Sequence, residues 1–158
     1  MTEHEQWMQR CIHLGKQAMQ AGNPPVGALL VKGGEIIGEG MEAGKTKKDI
    51  TCHAEIEAIR DAIRKGQNAD MQDCTLYTTH EPCIMCSYVV RHHQIATVVI
   101  GIEVPVIGGA TSVFPILKAT DIAIWPDPPQ LILGILKKEC ALLNSAYQNI
   151  IKKAQKDI

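Results

Sequence analysis

Hydrophobic positions recur along this chain first with the period of a helix and then with that of a strand. Met8, Cys11, Ile12, Ala18 and Met19 fall on helical spacing in a run that ends at Gln20, and Thr2 with Glu5 has capping-box spacing at its start. Ala21-Gly22-Asn23-Pro24-Pro25 stops that helix. Val26 to Val31 predicts a buried strand, Lys32-Gly33-Gly34 a turn, and Glu35 to Gly38 the second arm of a hairpin. Gly40 to Ile50 is polar and holds two glycines, so a loop is expected. Thr51 is placed to cap a helix through Lys65 that buries Ile56, Ile59 and Ile63.

Cys74 to Thr79 predicts a third strand. Pro82 suits the first position of a helix running to about His93, because its missing N–H has no partner to lose there. Thr97 to Ile102 predicts a fourth strand and Gly108-Gly109 a loop. Ser112 to Ala119 is expected as a short helix disturbed at Pro115, and Ile122 to Trp125 as a strand. Trp125-Pro126-Asp127-Pro128-Pro129 is a rigid connector, Leu131 to Leu133 a short strand, and Ile135 to Lys156 a long amphipathic helix. Helices that alternate with strands predict an α/β layer fold, as one domain over residues 1–158.

Composition narrows the class. Hydrophobic residues are 46% and charged residues 21%, which excludes a disordered chain. Lys and Arg number 16 against 17 Asp and Glu, so the net charge of -1 gives no bulk attraction to nucleic acid or anionic membrane, though a local patch stays open. Aromatics at 4% argue against an extended base-stacking platform. No apolar run reaches the roughly 18 residues of a membrane span. Met1 to Gln9 is polar with two Glu, unlike a signal peptide, so a cytoplasmic location is the default. In that setting six cysteines read as thiols or metal ligands rather than a disulfide framework. The lysines of the last helix are mixed with acids and read as a solvated face.

Two short motifs carry chemistry. His53-Ala54-Glu55 opens one predicted helix, and Pro82-Cys83-Ile84-Met85-Cys86 opens another. Cys83 and Cys86 are roughly 300° apart on a helix, which puts both sulfurs on one face. A helix N-terminus favours thiolate over thiol. His53 can supply a third ligand. Three protein ligands leave one tetrahedral position for water, the mark of a catalytic zinc. Glu55 need not bind the metal and can stand beside that water as a proton carrier. A structural zinc would need a fourth ligand, and Cys52 and His80 are the residues near enough in sequence. Cys11, Cys74 and Cys140 have no ligand spacing and read as buried apolar residues. Thiolate and imidazole ligands with hydrolytic chemistry favour zinc over iron.

The spacing H-x-E followed by P-C-x-x-C is the signature of zinc deaminases. With it, the chain resembles the cytidine and deoxycytidylate deaminase superfamily. The nearest branch there holds tRNA-specific adenosine deaminases, bacterial guanine deaminases and fungal cytosine deaminase. Pro25-Val26-Gly27-Ala28 with Leu29-Leu30-Val31 resembles that branch's first strand, and His53 to Ile56 and Thr78 to Cys86 its two zinc motifs. Gly134-Ile135-Leu136 with Glu139-Cys140-Ala141 is similar to the last helix of the bacterial tRNA enzymes.

The resemblance implies a three-layer α/β/α sandwich around a five-stranded mixed sheet, a zinc ion on His53, Cys83 and Cys86, and a homodimer. It implies hydrolysis of a ring amino group with loss of ammonia. Glu55 would take the proton of the attacking water and deliver protons to the ring nitrogen and the leaving amine. The N–H at the Cys83 position would steady the attacking oxygen, and the Glu81 carbonyl would accept from the amine. The Ala54 N–H would face the ring, with Val26 and His80 lining the pocket.

The chain departs from the tRNA enzymes at several places. They carry Gly-x-Asn where this chain has Gly40-Met41-Glu42. An ionised Glu only accepts hydrogen bonds, so a base-reading Glu42 would face N–H groups, as on guanine, an amino-triazine or a pterin-like ring. The competing possibility is a slipped loop with Glu42 in solvent. Arg is replaced near Gln94 and Thr97, charged residues by Val104-Pro105-Val106, and an aromatic pair with basic residues by Tyr147-Gln148-Asn149. These losses lower the expectation of RNA binding. The expected substrate is therefore a small aminated heterocycle, guanine-like, with a tRNA adenosine and a non-catalytic zinc protein as alternatives. Trp125 and its connector could be a lid, a dimer contact or a surface crossover.

Overall fold

A computed structural model describes residues 1–157. Helix α1 spans Glu3–Gln20, with the Thr2–Glu5 capping box formed in both directions. Strands β1 (Gly27–Lys32) and β2 (Glu35–Met41) form the hairpin. A one-turn helix α2 (Gly44–Lys47) and helix α3 (Ala54–Arg64) follow. Then come β3 (Cys74–His80), α4 (Ile84–His92), β4 (Thr97–Ile102), β5 (Gln130–Leu133) and α5 (Lys137–Lys156). The sheet order is β2-β1-β3-β4-β5. The pairs β2–β1 and β1–β3 are antiparallel, while β3–β4 and β4–β5 are parallel, so the sheet is mixed as expected.

Alternation along the strands separates two cores. Ala28, Leu30, Leu76, Val98 and Ile100 face α3 and α4, packing on Ala58, Ile59, Ala62 and Val90. Leu29, Val31, Tyr77 and Val99 face the other way, onto Met8, Cys11 and Ile12 of α1 and Cys140 and Leu143 of α5. The result is the three-layer sandwich. Strand β2 lies unusually close to α3. A Cβ on Gly40 would stand 2.1 Å from the Ala54 carbonyl oxygen, so only glycine lets the helix settle there. That close approach fixes the start of α3, where the His53 motif sits.

Several expected boundaries move. Strand β2 continues to Met41 because Gly38 and Gly40 pass under α3, and α2 replaces part of the expected loop. Thr51 does not cap α3. Its hydroxyl bonds Asp49 and accepts from Arg60, which leaves His53 as the N-cap. Ile63 is 43% exposed, because the buried stripe runs through Ala58, Ile59 and Ala62 and Ile63 lies about 40° past Ile59, in the last turn of the helix. Pro82 is not inside a helix. Its carbonyl accepts Gly109 N–H and the Ser87 hydroxyl, Cys83 is the N-cap, and α4 begins at Ile84.

Residues 112–119 form turns rather than a helix, and 122–125 form a turn rather than a strand. The Leu117 N–H goes to the Gly109 carbonyl rather than to Val113 as a helix would need, and the Trp125 N–H closes a turn on the Ile122 carbonyl. The buried Arg91 guanidinium holds these turns together by donating to the carbonyls of Ile116, Ala119 and Pro126. Helix α5 starts at Lys137, after Gly134 and Leu136 in left-handed conformations. No helix among the described residues is long and apolar enough to cross a membrane.

Candidate active site

The two motifs meet because α3 and α4 bring their N-termini together beyond the C-terminal end of β3. His53 and Cys83 hold equivalent places as the N-caps of these helices, both with extended backbone (φ -72, ψ 153 and φ -68, ψ 178). Cys86 sits in the first turn of α4 and is buried. The pairing of sulfurs therefore comes from a cap and a first-turn residue, not from two positions within one helix.

Sγ of Cys83 lies 3.5 Å and Sγ of Cys86 3.4 Å from Nδ1 of His53. With Zn–S near 2.3 Å and Zn–N near 2.0–2.1 Å, tetrahedral S and N ligands stand about 3.5 Å apart, so the three atoms fit zinc. Among the described residues this is the one cluster of His, Cys, Asp and Glu ligand atoms so close, and neither Cys52 nor His80 joins it. The Cys52 thiol instead accepts from Arg60, and His80 bonds elsewhere. The site thus offers three candidate protein ligands.

The electrostatics favour a thiolate here. A hydrogen bond from Cys86, helped by His53, pulls the Cys83 thiol down to about 4. The Cys83 contact in turn raises His53 to about 9. The same sharing pushes Cys86 up, so the cluster gives up one thiol proton readily and holds the other. A metal ion takes both sulfurs as thiolates.

A cleft of about 190 Å³ opens over these ligands. His53 and Cys83 line it, as do Glu55, Glu42, His80, Glu81 and Val26. Pro24 and Val104 complete the walls, and neither was singled out from the sequence. Ala54 is fully buried as the first residue of α3. Glu55 is 4% exposed, and burial pushes its carboxyl up. Its Oε1 accepts from Thr78 Oγ1 at 3.0 Å and its Oε2 lies 3.5 Å from Cys86 Sγ.

Glu42 is not in solvent. It is 8% exposed, and burial pushes its carboxyl up. Glu81 turns its carboxylate away from the ligands. It accepts the N–H groups of Val104, Ala110 and Thr111 at 2.8–2.9 Å. Burial alone would raise Glu81, but these donors and the Thr111 hydroxyl outweigh it and hold the carboxyl below its usual range. His80 lies with Nδ1 3.1 Å from Thr79 Oγ1 and Nε2 3.4 Å from Asn144 Oδ1. Burial lowers its pKa despite Asn144. Trp125 does not line the cleft. It stacks on the Arg91 guanidinium at 4.9 Å and meets Tyr88 edge-on.

Thr78 and Asn144 were missed from the sequence. Thr78 shares its strand face with His80 two residues on, which alternation alone would have flagged. Asn144 had no sequence signal, because only tertiary packing brings α5 to β3.

Known proteins resemble this arrangement. The pattern of the cytidine and deoxycytidylate deaminase zinc-binding region matches residues 1–102. A tRNA-specific adenosine deaminase of Aquifex aeolicus is 40% identical over 113 residues, 72% of this chain and 75% of that protein. The enzyme of the same name from Streptococcus pyogenes serotype M18 is 34% identical over 147 residues, 93% of this chain and 91% of its own. A solved structure from a study of A-to-I editing by tRNA:A34 deaminases superposes with a TM-score of 0.80 at 25% identity, covering 87% of this chain and 98% of that one. Guanine deaminase from Bacillus subtilis superposes with a TM-score of 0.61 at 37% identity over 65% of this chain and 66% of its own. With the ligand geometry of His53, Cys83 and Cys86, these likenesses make the chain a zinc-dependent hydrolytic enzyme, and it belongs to the cytidine and deoxycytidylate deaminase family.

Proposed function

We propose that this enzyme deaminates an adenosine held in tRNA to inosine, with loss of ammonia. The observation that carries this reading is the likeness to a tRNA-specific adenosine deaminase along 93% of the chain. It supports the tRNA alternative above the guanine-like substrate that the loop residues favoured.

When bound, zinc supplies a water made acidic enough to attack at neutral pH. Glu55 is buried at the ligands with one oxygen towards Cys86, so it is placed to take the water's proton. It then hands protons to the ring nitrogen and to the departing amine, a role worth typically 10²–10⁴-fold. The Cys83 N–H steadies the attacking oxygen, the Glu81 carbonyl accepts from the amine, and the Ala54 N–H faces the ring. Val26 and His80 hold the ring between them in the cleft.

One observation favours a second reading, a small free base with a guanine-like edge. Glu42 brings a buried carboxylate into the cleft and needs N–H groups to face. Ammonia release by zinc-loaded protein separates the two. The panel holds an adenosine-34 tRNA, adenosine, adenine, guanine, guanosine, cytosine, cytidine and an amino-triazine, with Glu55→Ala as control. Release from the tRNA alone, falling steeply with salt, is the expected result. Release from guanine or the triazine instead would promote the second reading.

A homodimer is part of this proposal. Phe114 lines a groove of about 630 Å³ with Ile84 and Ile116, and its chain neighbour Val113 is exposed. Such patches mark contact surfaces. Sedimentation of the full chain is expected to show two copies, and a monomer at micromolar concentration would remove that part.

A further inference from the structure

Thr78 is a fully buried polar residue whose hydroxyl has two partners. Oγ1 lies 3.0 Å from Glu55 Oε1 and 2.8 Å from the backbone carbonyl oxygen of His80. A hydroxyl has one proton to give and lone pairs to receive one. The His80 carbonyl can only accept. Oγ1 thus bridges the Glu55 carboxyl and the backbone carbonyl at the end of β3, and no other protein hydroxyl lies within hydrogen-bond distance of that carboxyl among the described residues.

We propose that Thr78 is the positioning residue of Glu55, a hydroxyl that ties the carboxyl to the end of β3. This rests on the reading of Glu55 as the proton carrier. The strand supplies the rigidity. Thr78 pairs with Ala28 of β1 on one side and Ile100 of β4 on the other, so its Cα cannot drift. Glu55 lies buried in the first turn of α3. The hydroxyl is what ties its carboxyl to the fixed strand.

The competing role for Thr78 is packing, and two variants of the full chain separate them. Thr78→Val keeps the shape and removes the hydroxyl. Thr78→Ser keeps the hydroxyl and removes the methyl. Zinc-loaded Thr78→Val is expected to lose about tenfold in kcat, the worth of one hydrogen bond to a charged group, with KM unchanged. Thr78→Ser is expected to stay within about twofold of the parent. A Val variant as fast as the parent, or a Ser variant as slow as the Val variant, would overturn the proposal.

A second readout does not need activity. The Glu55 side-chain carboxyl carbon is assigned by ¹³C NMR with Glu55→Gln. Its resonance should move in Thr78→Val and stay in Thr78→Ser, and no movement in either would overturn the proposal. If Glu55→Gln proves as active as the parent, the proton-carrier reading fails by itself. The carboxyl resonance then decides whether Thr78 positions Glu55.

Discussion

The backbone N–H of Val104 donates to Oε1 of Glu81 at 2.9 Å, which ties a wall of the cleft to the residue two places before the first cysteine ligand. Ala110 and Thr111 donate to the other oxygen. One carboxylate thus organises the loop between β4 and residue 111. Glu81→Ala would leave those N–H groups buried without acceptors, and a loss of about 3 kcal/mol in unfolding free energy is expected. Glu81→Gln should fall between, since its amide group must turn a donor towards donors. Urea unfolding of both variants measures this, and a Gln variant as stable as the parent would mean that charge is irrelevant at this position.

Metal removal should destabilise the fold at the α3–α4 junction. Each tenfold excess of a ligand over its dissociation constant adds about 1.4 kcal/mol to the folded state. A strong chelator is expected to lower the unfolding midpoint of the parent protein. His53→Ala and Cys86→Ser should lower bound zinc, read by elemental analysis, and should no longer respond to chelator. Full zinc occupancy in both variants would mean that the ligands lie elsewhere.

Arg91 should behave as a strut rather than a surface charge. Its guanidinium donates to three carbonyls and stacks on Trp125. A lysine cannot reach all of them from one ammonium group. Arg91→Lys is expected to cost about 2 kcal/mol and to open residues 112–126 to limited proteolysis. Cleavage at the parent rate would show that the turns hold without it.

Asp61 sets part of the acid limit. Burial would raise its carboxyl, but Lys65, the Glu39 N–H and Arg64 outweigh that and hold it below the usual value. The folded pKa is below the unfolded one, so its contribution is present above the unfolded value of about 3.9 and is lost as pH falls through the folded value. Asp61→Asn should therefore flatten the fall in stability below about pH 4 and lower stability at neutral pH. Denaturant midpoints at pH 7 and pH 3 test this, and parallel curves for the two proteins would refute it.

The sequence by itself determined the five strands of the sheet, the long helices and the candidate ligand cluster. These rest on local facts: alternation in Thr97 to Ile102, the capping box of Thr2 and Glu5, and the spacing of Cys83 and Cys86. The family resemblance came from the same short stretches. Tertiary structure decided where helices begin and what fills the loops, because distant groups compete for the same backbone. Gly109 took the Leu117 N–H that a helix at 112–119 would have turned to Val113, Pro82 gave its carbonyl to Gly109 and Ser87, and Asp49 drew Thr51 away from the cap. It also decided that Glu42 enters the cleft, that Thr78 meets Glu55, and that Asn144 reaches His80 across 64 residues. Such long-range pairings follow from the order of strands in the sheet and the face on which each helix lies, and no local pattern of residues encodes either.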